Sequence, residues 1–401
     1  MDAKIVKDGG ITSALGFHAA GISCGLKEGG AKDLALLVSE VPAEVAATFT
    51  TNLVKAAPVK VSMKHAHNGK IRGVVVNSGC ANACTGVGGI TDAKAMIEHA
   101  AEVTQTKPRE WLVCSTGRIG TRLPMVKIRK GIDKAAAKLA PKSGVDAAKA
   151  IMTTDTKRKE YAMRFKVGGR KVTIGGMAKG AGMIHPNMAT MLCFVTTDAS
   201  IDKATLRGCV DEAVELSFNR ISVDGDTSTN DTVIVLANGA SGTNLLKSYH
   251  PQYNLFKTTL THVMRKLARM IVEDGEGITR VVDGVVKGAG SVHDAKLAAL
   301  AIAKSELIKT SWAGGDPNWG RIMAALGYSG ARVREEMIEI YYDGIVAVVN
   351  GQPSKTPIAR LKKIARQPKF TITIHLHAGL AEYSVLTTDL TEEYVRINLG
   401  E

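Results

Sequence analysis

Short β-branched runs alternate with apolar stripes of helical period along most of this chain, and that alternation restricts it to mixed α/β architecture. Residues 73–77 (GVVVN) read as a strand, followed by a turn over 78–89 (SGCANACTGVGG). The spacing predicts a helix over 91–104 that buries Met96, Ile97, Ala100 and Val103. Another strand, 111–114, runs into a turn over 115–120 that contains Ser115, Thr116 and Gly117. A helix is expected over 202–219, a buried strand over 232–237, and an apolar helical stripe through Leu260, Val263, Met264, Leu267, Met270 and Ile271. Near residue 283 the character shifts. Ser291 and Asp294 form a helix-capping pair before the stripe Leu297, Leu300, Ala301 and Leu307, and alternating strands such as KFTITIHLHAG follow. The expectation is a first domain over 1–283 and a smaller one over 284–401.

A chain of 401 residues with 45% hydrophobic content is long for one core and comfortable for two packed units. No run approaches the roughly 18 uninterrupted apolar residues of a membrane span, and the first thirty residues carry no apolar signal core, so a soluble cytoplasmic protein is expected. Cys114, Cys193 and Cys209 sit in apolar segments and read as reduced core residues. The net charge of +14 is spread thinly, and aromatics are only 4% of residues, which leaves bases little to stack on. No nucleic-acid partner is therefore expected.

Common phosphate and metal signatures are missing. There is no GxxxxGK[ST], and no GxGxxG leads from a strand into a helix. Cys80 and Cys84 share one turn without a second ligand pair, and His375 and His377 share a strand face without completing a site. DGDTSTND (224–231) resembles a calcium loop only in acidity, because its twelfth position is Val235 rather than a bidentate glutamate. A turn tied by its own hydroxyl and carboxylate hydrogen bonds is the better account.

The informative stretch is KGAGMIHPNMATMLCFV, 179–195, where a glycine-rich run meets an apolar strand at Ala189-Thr190. Thr190 has two readings. It is an ordinary β-branched strand residue, or, if the Ala189-Thr190 bond is cut, a nucleophile whose own α-amine is its base. Such an amine has a reference pKa of about 7.7–8.0 and deprotonates near neutrality. Acyl transfer also needs donors for the developing oxyanion, and Ser115-Thr116-Gly117 offers a hydroxyl and backbone N–H groups. An ordinary turn describes that segment equally well.

Seven blocks decide between these readings: NSGCANACTG (77–86), CSTGRIG (114–120), IMTTDT (151–156), SVDGDTSTND (222–231), DGEG (274–277), GGDPNWGRI (314–322) and TTDLTEEYVRIN (387–398). Together with KGAGMIHPNMATML, and in this order, they closely resemble the ornithine acetyltransferase family, also called glutamate N-acetyltransferase, of arginine biosynthesis. The resemblance implies a helix–sheet–sheet–helix sandwich like that of N-terminal nucleophile hydrolases, with a smaller C-terminal α/β domain. It implies a precursor that cuts itself between Ala189 and Thr190 into an α chain, 1–189, and a β chain, 190–401, with two of each assembling together. Thr190 would be the nucleophile and a substrate contact, Thr116 and Gly117 the oxyanion hole, and Thr153, Lys179, Glu276 and Asn398 further substrate contacts. The acetyl group would pass from N-acetylornithine to glutamate with no metal or nucleotide cofactor, acetyl-CoA being a conceivable second donor.

Cys80 and Arg118 depart from the residues usual in that family, as do His375 and His377, and few residues follow Asn398. The alternatives are an amidase or aminopeptidase in which water replaces glutamate, an acetyltransferase for another amino acid, and a non-catalytic protein that uses its basic surface.

Overall fold

The computed structural model describes residues 2–185 and 191–399, apart from the side chain of Asn68. The chain forms two compact units. The first takes the described residues of Met1–Ala181, Asn187–Asn219 and Thr227–Ile271, and the second those of Gly182–Pro186, Arg220–Asp226 and Val272–Glu401. The strand Val281–Ala289 thus runs through the point where the sequence changes character.

In the first unit the strands follow one path: Lys4–Ile5, Lys159–Val167, Arg170–Lys179, Leu192–Thr197, Thr232–Ala237, Leu34–Phe49, Ile71–Cys80 and Trp111–Arg118. Phe17–Ile22 pairs alongside Leu34–Phe49. The long strand Leu34–Phe49 belongs to two sheets. Its first part pairs with Ile71–Cys80, and its last part, from Glu44, pairs with Thr232–Ala237. The register shifts between Val38 and Ala43, where Pro42 sits in an exposed corner at the irregularity that a proline tolerates.

The two sheets face each other across one core. Leu37, Val74, Val76, Leu112 and Cys114 come from one and Met177, Leu192, Phe194, Ile234 and Leu236 from the other. Alternate residues point outward and are also buried. Leu36, Val75 and Val113 pack with Met96, Ile97, Ile128 and Ile132 of the helices Gly86–Val103 and Met125–Ala136. On the opposite side lie the helices Lys203–Glu215 and Tyr253–Val272, where Leu267 and Val195 crowd the position of Gly176. The layers are therefore helix, sheet, sheet and helix. Because both faces of the inner strands are covered, they read as continuous β-branched runs, and each fully buried Val, Ile, Leu or Phe contributes about 1.5–3 kcal/mol.

The second unit has a six-stranded sheet in the order Gln352–Pro353, Ile345–Val349, Glu339–Tyr342, Lys369–His375, Val281–Ala289 and Ala381–Thr388. Its helix Val292–Lys304 is capped as expected, Ser291 Oγ accepting from Asp294 N at 3.1 Å. The buried face is different from the expected one. Ala295, Ala298, Ala299, Ile302 and Ala303 are buried, whereas Leu297, Leu300 and Ala301 are half-exposed and Leu307 is exposed. Small residues let the helix lie close on the strands Val281–Ala289 and Ala381–Thr388, so the larger leucines are left at the rim.

Cys114, Cys193 and Cys209 are buried free thiols, and burial pushes Cys114 up to about 12, which keeps it inert. No helix among the described residues is long and apolar enough to cross a membrane.

The first unit's tightest approach of strand and helix tests this packing. A Cβ on buried Gly21 would lie 1.9 Å from the carbonyl oxygen of Asp146. Gly21→Ala should lower stability by about 1–3 kcal/mol, read as a reduced urea midpoint. An unchanged midpoint would show that the helix Gly144–Ala150 shifts freely.

Candidate functional site

The segment expected to be a turn at Ser115-Thr116-Gly117 is the end of the strand Trp111–Arg118. It stays in the ladder because its neighbour is equally polar: Ser78 pairs with Thr116 and Gly79 with Gly117, with an irregularity at Cys80. Side chains hold this end. Ser115 Oγ donates to Asn77 Oδ1 at 2.6 Å, Asn77 Nδ2 to Cys80 O at 2.8 Å, and Asn230 Nδ2 to Ser115 O at 2.8 Å. Thr116 is buried, while Gly117 is exposed with φ +123°. Its missing Cβ matters, since one would lie 2.4 Å from the carbonyl carbon of Gly79.

Lys179 ends the strand Arg170–Lys179 of the other sheet, and its buried ammonium lies 3.4 Å from Thr116 Oγ1. Leu192 pairs with Lys179 across the ladder, so the chain returns to this lysine just beyond residue 191. Thr153 approaches through Asp155, whose Oδ2 accepts from the Thr153 amide at 2.9 Å. Asp155 Oδ1 accepts from Lys159 Nζ and from the Gly180 amide, both at 2.7 Å. Burial works against ionising Asp155, but Lys179, Lys159 and the Gly180 amide outweigh it and hold the carboxyl at about 2. In the first unit Asp155 therefore ties Thr153 to Gly180 and faces the charge of Lys179, and Lys179 reaches Thr116, the neighbour of Gly117.

Glu276 and Asn398 come together in the second unit. Asn398 Nδ2 donates to Glu276 Oε2 and to Tyr394 O, each at 2.9 Å. Two anchors bring the tail there. Asp389 Oδ1 accepts from the amides of Thr279 and Arg280 at 2.9 and 3.0 Å, and Thr391 Oγ1 donates to Gly277 O at 2.6 Å. Buried Lys309 donates to the carbonyl oxygen of Thr388 and to its hydroxyl. Burial lowers that ammonium to about 7 although Asp389 and Asp224 oppose the shift. Gly182, from the KGAG run, packs against this pair: a Cβ there would lie 2.4 Å from Glu276 Oε2 and would displace that carboxylate.

The Ala189-Thr190 bond lies outside the described residues, but both flanks of that stretch are held by aspartates of DGDTSTND. In the second unit Asp224 accepts from the amides of Met183 and Ile184, at 2.5 and 2.9 Å. In the first, Asp231 Oδ1 accepts from the Met191 amide at 3.0 Å. Sequence reasoning treated this block as a self-contained turn and missed both roles, as it missed Asp155. Each of these aspartates has a partner 25 to 41 residues away; the available signal was carboxylates standing among hydroxyl and amide residues inside otherwise apolar surroundings. His375 and His377 do lie side by side, ring centroids 3.8 Å apart, with His377 Nε2 3.0 Å from Glu339. Among the described residues no group of three or more His, Cys, Asp or Glu side chains is arranged to hold a metal.

The model of the ArgJ family matches residues 18–400. This chain belongs to the ArgJ family. It is 48% identical over 392 residues to the arginine biosynthesis bifunctional protein ArgJ of Symbiobacterium thermophilum, covering 97% of this chain and 98% of that one. It is 46% identical over 405 residues to the glutamate N-acetyltransferase of Methanocaldococcus jannaschii, covering 98% of each. A crystal structure of the arginine biosynthesis bifunctional protein ArgJ from Bacillus halodurans is similar with TM-score 0.50 and 39% identity. That match covers 52% of this chain but 98% of the solved one, which is therefore a polypeptide of about half this length.

The carboxylate at the centre of the first unit's cluster gives a pH test. Asp155 titrates below the ordinary carboxylate value of about 3.9, so its contribution to stability is complete above about pH 4 and is lost as pH falls through 2. Asp155→Asn should cost about 3–5 kcal/mol at pH 7, because it leaves Lys159 buried without its counter-charge. The difference from wild type should narrow by about 2 kcal/mol as pH falls from 5 towards 2 in urea titrations. A difference independent of pH would mean that the pair is not ionised.

Proposed function

We propose that this chain is a self-processing acyltransferase of arginine biosynthesis that carries the acetyl group of N-acetylornithine to glutamate on the hydroxyl of Thr190. The observation that carries the reading is the cluster of Thr116, Gly117 and Lys179 beside the strand that begins two residues after Thr190, in a member of the ArgJ family. The half-length solved relative supports a cut near the middle of the chain.

Water hydrolyses the peptide bond between Ala189 and Thr190, leaving a carboxylate on Ala189 and a free α-amine on Thr190. In the first half-reaction Thr190 Oγ1 attacks the acetamide carbonyl while its proton passes to that amine. The Thr116 hydroxyl and the Gly117 amide stabilise the oxyanion. Collapse breaks the carbon–nitrogen bond, the α-amine returns the proton to the leaving nitrogen, and ornithine departs from an acetyl-threonine ester. Glutamate's amine then attacks that ester, and N-acetylglutamate leaves with the threonine hydroxyl restored.

Lys179 suits an anionic group of the substrate and Thr153 a hydrogen bond to it; Glu276 suits the ornithine ammonium, with Asn398 orienting that carboxylate. The scheme needs no metal or nucleotide cofactor, and acetyl-CoA is a second donor able to form the same ester. Two α and two β chains form the assembled enzyme, acting in the cytoplasm.

Denaturing electrophoresis with N-terminal sequencing should give two pieces of similar size, the second beginning Thr-Met-Leu-Cys-Phe, and Thr190→Ala should remain one piece. Ornithine release from N-acetylornithine should require glutamate, with parallel double-reciprocal lines when both substrates vary. Release that ignores glutamate would make the protein an amidase, and an uncut, inactive wild type would overturn the scheme.

A further inference from the structure

The parallel ladder between Leu192–Thr197 and Thr232–Ala237 has its first pair at Leu192 and Thr232. Side chain and backbone extend it by one more residue. Asp231 Oδ1 accepts from the Met191 amide at 3.0 Å, and the Thr232 amide donates to Met191 O at 3.1 Å. Both polar groups of Met191 are thereby fixed. Asp231 is itself held, its carbonyl accepting from the Thr50 amide at 2.9 Å, and it is fully buried.

A neutral acceptor could satisfy one amide at far lower desolvation cost than a carboxylate. Asp231 Oδ2 completes no hydrogen bond among the described residues, although the Thr50 hydroxyl and the Ser228 amide are near enough to favour its charge. Burial raises this carboxyl well above its usual range, against the opposing pull of the Met191 amide and of Lys179. Such an expensive group at the edge of a ladder calls for a role beyond closing it.

The nitrogen that Asp231 grips is covalently joined to the carbonyl carbon of Thr190, and a peptide group is planar from one Cα to the next. Fixing the N–H of residue 191 therefore restrains the peptide link at the start of this strand. We propose that Asp231 is a positioning residue for the nucleophile, its Oδ1 restraining the amide of residue 191 through which Thr190 is joined to the strand. This rests on the reading that Thr190 becomes the N-terminal nucleophile. A new chain terminus loses the restraint of everything before it, so this peptide is the last rigid element the nucleophile has.

The test compares Asp231→Ala and Asp231→Asn in the full chain, measuring the fraction cut, kcat and KM for N-acetylornithine with glutamate, and the thermal midpoint. Asp231→Ala should lower kcat of the cut enzyme by about 100-fold, the scale of a misplaced reacting group, with KM little changed. Asp231→Asn keeps an oxygen that accepts from Met191 and should restore most of that loss. Wild-type kcat in Asp231→Ala, or equal loss in both variants of folded protein, overturns the inference. Should the alanine variant fail to fold, the asparagine variant decides: activity near wild type supports the contact, and inactivity at an unchanged midpoint refutes it. A wild type that is itself uncut and inactive would instead remove the functional reading beneath it.

Discussion

The buried carboxylate of Asp155 is the interaction on which the first unit's site depends. An ionised group in that position is tolerable because Lys179, Lys159 and two backbone amides face it, and those amides belong to Thr153 and Gly180. Satisfying one charge therefore draws the 151–156 block to the end of the strand that carries Lys179, and Lys179 in turn reaches Thr116. The second unit uses the same device. Asp389 gathers the amides of Thr279 and Arg280, Lys309 fastens Thr388, and the tail is led to where Asn398 meets Glu276.

Such anchoring suits acyl transfer through a threonine ester. A tetrahedral intermediate gains most from donors that are already in place when charge develops, because reorganising them would consume the stabilisation. The irregular strand end at Thr116 and Gly117 is held by Asn77, Ser115 and Asn230, which gives the proposed oxyanion hole a rigid frame. Asn77, Ser115 and Asn230 of this frame lie in the polar blocks 77–86, 114–120 and 222–231.

Much of the fold was legible because the inner strands are buried on both faces. The runs at 73–77, 111–114 and 232–237 announce themselves through β-branching, and the helices through period. Polar strand ends were not legible: Ser115 to Arg118 looks like a turn until Asn77, Ser78 and Gly79 are seen beside it. The helix Val292–Lys304 misleads in the opposite sense, since its leucines advertise a core that its alanines occupy. The bend of Leu34–Phe49, which divides the path into two sheets, depends on two different partners and has no local signal. Local chemistry pointed to Thr190 and Thr116, whereas Glu276 and Asn398 stand 122 residues apart and were named only through the family resemblance. Asp155, Asp224 and Asp231 escaped notice because each also holds an amide 25 to 41 residues away.

The central claim is that Thr190 carries the acetyl group. Incubating the cut enzyme with N-acetylornithine alone, quenching in acid and mapping peptides by mass spectrometry tests it directly. The peptide that begins at Thr190 should carry one added acetyl group as an ester, and adding glutamate before the quench should discharge it as N-acetylglutamate. Turnover with no covalent adduct, or with the acetyl group on another residue, would contradict the account.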